Sequence, residues 1–267
     1  MKALYYSKPL RENASICEKP YPVCGSHDVI IRVMSCSICH GVEADHDEPG
    51  GSGCSSYPLI PGHEFAGYVH EVGELVTTFQ VGDRVTADNT VPCGVCHYCK
   101  QGDFIHCPDK KNLGNKADGG FAEFVRVSET KAVHLPDHVS FNEGCLAEPV
   151  ACCMHSMDQM NIRYGDDVLI MGAGPMGMIL AMLAAHSNAS HVVACASSAE
   201  KLKKLETLGF ETVQMPDSFF DVAIGNVPFG DFKVVDRRYD KHHWLIHDYF
   251  FGKALDKVRP GGIVAFI

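Results

Sequence analysis

Four cysteines in one short stretch carry the plainest chemistry in this sequence. Cys93, Cys96, Cys99 and Cys107 have the spacing CxxCxxCxxxxxxxC, which lets four thiolates from one loop converge on a tetrahedral zinc ion. No open coordination position is left, so such a zinc is structural and cross-links a lobe too small to hold itself by apolar burial. His97 and His106, in the same stretch, read as bystanders. A second run, Gly172, Gly174 and Gly177, spells GxGxxG directly after VLIM and at the start of an apolar helix. Gly172 permits a tight turn, Gly174 the close approach of backbone to a pyrophosphate, and Gly177 the packing of helix on strand. With Pro175 and Met176 these glycines form a candidate dinucleotide loop, its helix N-terminus facing the phosphates. An acidic residue about 20 positions on would hold the adenosine ribose. Strand HVVAC instead runs into Cys195, Ala196, Ser197 and Ser198, which makes Ser197 the candidate there. Lys201 and Lys203 lie nearby, so both NAD and NADP stay open.

Two kinds of architecture must position these groups. DVIIRV (28–33), GYVHEV, DRVTA, FAEFVRV and KAVHL are short β-branched runs between glycine-rich turns, as in a compact, mostly-β domain. After Pro149 the pattern changes to a helical ACCMHSMDQM. An alternation follows: strand Val168–Met171, helix Pro175–His186, strand His191–Cys195, helix Ala199–Leu208 and strand Glu211–Val213. That alternation predicts an α/β parallel sheet.

Composition narrows the function. The net charge of -10 argues against nucleic acid backbones and anionic membranes as partners and favours a small-molecule substrate. Met1–Leu10 holds no apolar run, and the one strongly apolar stretch, Val168–Ala185, is broken by glycines and a proline, so neither an export signal nor a membrane span is expected. Thirteen cysteines without an export signal fit thiols kept reduced for metal in the cytoplasm.

Gly62, His63, Glu64, Gly67, Gly73 and Val76 spell GHExxGxxxxxGxxV. This resembles the signature of zinc-containing medium-chain alcohol and polyol dehydrogenases. Cys39, in SICHG, lies where that family places its first catalytic ligand, and Glu148-Pro149 in LAEPV resembles its sorbitol and threonine dehydrogenase branch. The resemblance implies a GroES-like catalytic domain over 1–155 and an incomplete doubly wound Rossmann sheet from 156. It also implies hydride transfer between a small alcohol or polyol and NAD(P), and a catalytic zinc on Cys39, His63 and Glu148. Glu64 would stand behind these or replace water on the metal. One thiolate, one imidazole and one carboxylate leave a fourth position open, as catalytic zinc needs. Cys36 competes with Cys39 and ranks below it, while Cys152 and Cys153 are substitutes for Glu148. His134, His138 and His155 match no ligand position. The family usually reads Cys, small, Ser or Thr, Asp, whereas this chain reads Cys39, His40, Gly41, Val42, Glu43. The relay hydroxyl is absent, which routes proton release through Glu64, His40 or water. Relatives commonly assemble through edge strands of the nucleotide domain, so a homo-oligomer is possible.

The likeness runs to about Gln214. In the tail, 217–267, FDVAIGNVPFGDF resembles the strand and NPPF-type loop of adenine-amino DNA methyltransferases, with Asn226, Pro228 and Phe229 in the base-binding positions. The competing reading is that the tail, with a late strand after the PGG turn at 260–262, simply continues the Rossmann sheet. A chimeric chain, truncated within GGIVAFI, is the expectation. A methyltransferase-related fusion fragment and an inert zinc-binding remnant are the alternatives to a working dehydrogenase. Basic residues Lys233, Arg237, Arg238 and Lys241 are balanced by Asp231, Asp236 and Asp240, which reads as a solvated face.

Overall fold

The structure is a computed structural model and describes residues 1–43, 56–196, 198–214, 219–227, 236, 239 and 244–267, without the side chain of His40. The chain divides into two compact units, Met1–Glu148 and Pro149–Ile267. The division falls ahead of the expected boundary at residue 155, inside a continuous helix.

The first unit begins with β1 (Lys2–Tyr6) paired antiparallel to β2 (Ala14–Glu18). Its main sheet contains β3 (Asp28–Ser37), β4 (Glu64–Val72), β5 (Arg84–Ala87), β8 (Phe124–Ser128) and β9 (Ala132–His134) in the order β8-β3-β4-β5-β9. All of its pairings are antiparallel. A two-stranded ribbon joins β6 (Thr90–Val91) to β7 (Lys111–Asn112) and closes the base of the cysteine lobe. Short helices α1 (His40–Glu43), α2 (His97–Lys100) and α3 (Phe141–Gly144) sit in the connections.

Hydrophobic alternation explains the sheet. Val29, Ile31, Phe65, Val69, Val85, Val125 and Val127 point to one side and form its core. Full burial of each such side chain is worth about 1.5–3 kcal/mol. The sequence stops the first strand at Val33, but pairing continues to Ser37 across from Glu64. That extension brings the strand's end beside the GHE turn.

The second unit holds β10 (Asp167–Met171), β11 (His191–Cys195), β12 (Glu211–Val213), β13 (Phe220–Gly225) and β14 (Val258–Phe266). They are all parallel, in the order β12-β11-β10-β13-β14. Helices α5 (Pro175–Ala185), α6 (Ala199–Thr207) and α7 (Ile246–Leu255) connect them, after α4 (Ala147–Met160) has crossed in from the first unit. VLIM is apolar at every position because β10 is buried on both faces. Val168 and Ile170 pack with Leu180, Ala184 and Leu205 on one face, while Leu169 and Met171 pack with Val193, Phe220 and Ala254 on the other.

Strand order reverses between β10 and β13, which makes this sheet Rossmann-type and opens a crevice at the strands' carboxyl ends. The tail's strands belong to this sheet: β13 pairs β10, and β14 pairs β13. Pro260, Gly261 and Gly262, expected as a turn ahead of the last strand, form an irregularity within β14. Phe220 pairs Val258 whereas Val222 pairs Ile263, and Gly261 has φ +87°. Arg259 ties the edge down, its guanidinium donating to Asp221 and, at 2.9 Å, to Asp167. Among the described residues no helix is long and apolar enough to cross a membrane.

Candidate active site and metal centres

Cys93, Cys96, Cys99 and Cys107 converge, with all four Sγ atoms within 4.8 Å of one another. A tetrahedral zinc with Zn–S near 2.3 Å requires Sγ–Sγ separations of about 3.8 Å. The separations found are 3.9 Å for Cys93–Cys99 and 3.4 Å for Cys96–Cys99. Backbone amides point at the sulfurs: Cys96 N–H donates to Cys93 Sγ at 3.4 Å, Cys99 N–H to Cys96 Sγ at 3.5 Å, and Cys93 N–H to Cys107 Sγ at 3.4 Å. Amides of Val95 and Cys96 bring the Cys93 thiol down to about 7, while burial and the hydrogen bond with Cys96 push Cys99 up to about 12. Such amide donors favour thiolate, the form that binds metal. The donor set fits zinc. His106 is occupied instead with Asp103, 2.8 Å away, and His97 packs edge-on to Tyr98.

The second cluster is Cys39, His63 and Glu64, whose ligand atoms also lie within 4.8 Å of one another. Register explains it. Ser37 ends β3 directly opposite Glu64 at the start of β4, so Cys39, just past one strand, meets His63, just before the other. Gly62 makes the turn that aims His63. Its φ is +92°, and a Cβ there would come within 2.9 Å of Cys36 Sγ and 2.8 Å of the Phe121 nitrogen.

His63 and Glu64 are the only charged side chains among the buried described residues, at 6% and 5% exposure. Nε2 of His63 faces Glu64 Oε1 at 3.9 Å, and Nδ1 faces Glu43 Oε1 at 3.6 Å. Burial opposes a charge on His63, yet the Cys39 thiol and Glu43 carboxylate beside it push the imidazole up to about 10. His63 Nδ1 and both Glu43 oxygens are buried without a hydrogen-bond partner. Orphaned buried polar atoms are costly; these lie on the Nδ1 side of the imidazole, and a metal taken by Nε2 beside Cys39 and Glu64 would leave an Nδ1–H directed at Glu43. This donor set therefore also fits zinc, with a fourth position left over.

Glu148 does not join this cluster. It lies in the first turn of α4, where its Oε1 accepts from Asn89 Nδ2 at 3.3 Å. Cys36 stays outside as well, and burial pushes its thiol well above the ordinary range. Cys153 is fully buried in the core of the second unit, Cys152 is exposed, and no disulfide joins the described cysteines. His134 stacks on Phe79, and His138 and His155 are exposed. Two residues near the metal cluster, Glu43 and Ser37, were not candidates from the sequence. Ser37 donates a hydrogen bond to Glu64 Oε2.

In the second unit the glycine loop lies at the crevice. Gly172 has φ +112°, and its N–H donates to the Cys195 carbonyl at 2.8 Å. Pro175 opens α5 after Gly174, which offers no side-chain cap, so the first amides of the helix are left for an anion. A Cβ on Gly174 would meet nothing within 4 Å, leaving room for a ligand to approach. Met176, in the first turn of α5, accepts through its carbonyl from Cys153 Sγ at 3.7 Å. Asn226, exposed at the carboxyl end of β13, sets its carbonyl 3.4 Å from where a Gly172 Cβ would be. Ser197, Pro228 and Phe229 lie outside the described residues, as do Asp231, Lys233, Arg237, Arg238, Asp240 and Lys241.

Residues 25–137 match the family model described as Alcohol dehydrogenase GroES-like domain. Sorbitol dehydrogenase from Halalkalibacterium halodurans is 36% identical over 213 residues, covering 79% of this chain and 61% of that protein. D-arabitol-phosphate dehydrogenase from Enterococcus avium is 32% identical over 220 residues, covering 80% and 61%. A zinc-binding dehydrogenase of Sinorhizobium meliloti 1021, solved bound to NADP, superposes with TM-score 0.83 at 27% identity, covering 99% of this chain and 75% of that one. The architecture is thus a mostly-β GroES-like domain followed by a Rossmann-type parallel sheet. Over these stretches the chain is similar to zinc-type medium-chain alcohol and polyol dehydrogenases. The chain spans about three-fifths of the length of the curated relatives it matches.

Proposed function

We propose that the chain carries the machinery of a zinc-dependent oxidoreductase that transfers a hydride between a small alcohol or polyol and NAD or NADP. The observation that carries this reading is the buried Cys39, His63 and Glu64 cluster, with its donors within 4.8 Å of one another. The polyol relatives and the NADP-bound neighbour support the substrate and cofactor classes.

Cys39, His63 and Glu64 would hold one zinc, and Cys93, Cys96, Cys99 and Cys107 a second, structural one. At the first site zinc supplies Lewis-acid stabilisation of the reacting oxygen, and a nicotinamide supplies the hydride acceptor. The protein's own part is to exclude water around the buried His63 and Glu64 and to set Glu43 beside the imidazole. Gly172, Gly174, Pro175, Met176 and Gly177 would cradle the pyrophosphate, with Ser197 near the ribose. Glu148, held by Asn89, is the alternative carboxylate.

For the tail, we read β13 and β14 as the continuation of the nucleotide-binding sheet. A methyltransferase origin rests on the FDVAIGNVPFGDF likeness alone. A reducing cytoplasm suits the thiol ligands, and self-association through the nucleotide unit is open to sizing. The test is NAD and NADP reduction by protein of measured zinc content across sugar alcohols, with and without a chelator. Chelator-sensitive reduction supports the proposal. Two bound zincs with no reduction of either cofactor make the chain an inert metal-binding relic.

A further inference from the structure

Ser37 is the last residue of β3, and Glu64, its cross-strand partner, is the first of β4. The donors Cys39 and His63 lie just beyond this pair. A carboxylate can only accept hydrogen bonds, so the Ser37 hydroxyl is the donor in its contact with Glu64 Oε2. The other oxygen, Oε1, faces His63 Nε2 at 3.9 Å. Glu64 is 5% exposed, which leaves little room for water to take over the hydroxyl's role. The two carboxylate oxygens therefore have separate tasks, one tethered to the strand and one directed at the metal donors.

We propose that Ser37 is a positioning residue: its hydroxyl pins one oxygen of Glu64 so that the other faces the Cys39 and His63 pair, and this sets how tightly a metal is held there. The inference rests on the reading of Cys39, His63 and Glu64 as a zinc site. The physical reason is preorganisation. A free glutamate side chain samples many rotamers, and ligation must freeze them. A hydroxyl that already fixes the carboxylate removes most of that cost and orients the lone pair. Hydrogen bonds behind a ligand typically change metal affinity by about 10–100-fold. Glu43 stands in the corresponding place behind His63, on its Nδ1 side, so both inner donors are backed by a polar side chain.

The experiment compares the wild-type chain with Ser37→Ala and Ser37→Thr. Zinc per chain is measured first, then the rate at which zinc passes to a chromogenic chelator, then the visible spectrum of the cobalt(II)-substituted protein. The expected result is two zincs in the wild type. In S37A the more labile one should leave about 10–100 times faster, with altered cobalt bands, while the cysteine-lobe zinc and the melting temperature stay unchanged. S37T, which keeps the hydroxyl, should restore the slow rate and the original spectrum. If S37A does not fold, Ser37→Gly, which also lacks the hydroxyl, takes its place. Release rates and spectra identical to wild type in the hydroxyl-less variant overturn the inference while leaving the site intact. A wild-type protein that binds only the cysteine-lobe zinc overturns the reading of the Cys39, His63 and Glu64 site, and the inference with it.

Discussion

Gly177 lies so close beneath the carbonyl of Gly172 that a Cβ on Gly177 would come to 2.0 Å from that oxygen. Gly174, between them in sequence, has open space where its Cβ would be. The two glycines therefore serve different ends, one internal packing and the other ligand access. Gly177→Ala should destabilise the second unit by about 1–3 kcal/mol, the usual cost of overpacking. Gly174→Ala should melt like the wild type but bind NAD(P)H at least about tenfold more weakly, because the backbone can no longer approach the pyrophosphate. Thermal melts and cofactor fluorescence titrations check both.

The two metal clusters should be separable by mutation. Cys99→Ser is expected to lose one zinc per chain and to lower the melting temperature by several degrees, since the lobe has little else to hold it. Cys39→Ser should lose the other zinc and all alcohol-dependent NAD(P) reduction with a smaller thermal change. Elemental analysis beside melting curves distinguishes these outcomes.

Two carboxylates compete for the role of third ligand, and geometry favours Glu64. Glu64→Ala should deplete the zinc shared with Cys39 and His63. Glu148→Gln should keep both zincs, since the Glu148 carboxylate accepts from Asn89 and lies outside the donor cluster. Zinc loss from the Glu148 variant alone would reverse this assignment.

Arg259 bridges Asp221 and Asp167, and so links β14 to β13 and β10. The amide of Asp167 and the guanidinium of Arg259 hold the Asp221 carboxyl below its ordinary value. A depressed carboxyl contributes stability above its unfolded pKa of about 3.9, and that contribution is lost as pH falls through the lower folded value. Arg259→Gln should therefore lower stability near neutral pH, and only slightly, because solvent screens so exposed a network. It should approach wild type in acid, once the pH has fallen through the depressed Asp221 value. Denaturant melts across pH provide the check.

The sequence made the cysteine lobe and the glycine loop legible because each is a local pattern whose spacing is itself the chemistry. Strands β11 and β12 fall on the residues expected of them, since apolar runs between turn residues mark a buried parallel sheet. The neighbourhood of His63 was only partly legible. Ser37 and Glu43 reach it through the pairing of β3 with β4, a long-range register that no spacing rule reveals. Glu148 was singled out by a local EP likeness, and its direction depends on Asn89, remote in sequence. The PGG segment reads as a turn, yet its flanking residues pair with β13 on both sides of the irregularity.

The two donor sets differ in how far apart their members lie along the chain. All four lobe thiols fall within Cys93–Cys107, whereas Cys39 and His63 meet only once β3 and β4 have paired. Closing a short loop costs less entropy and happens sooner than assembling distant strands. On refolding, the lobe's thiols can thus gather as a self-contained knot, whereas the buried donors at the strand ends meet only after the sheet exists, so two zincs held as proposed would be loaded in an order set by the topology.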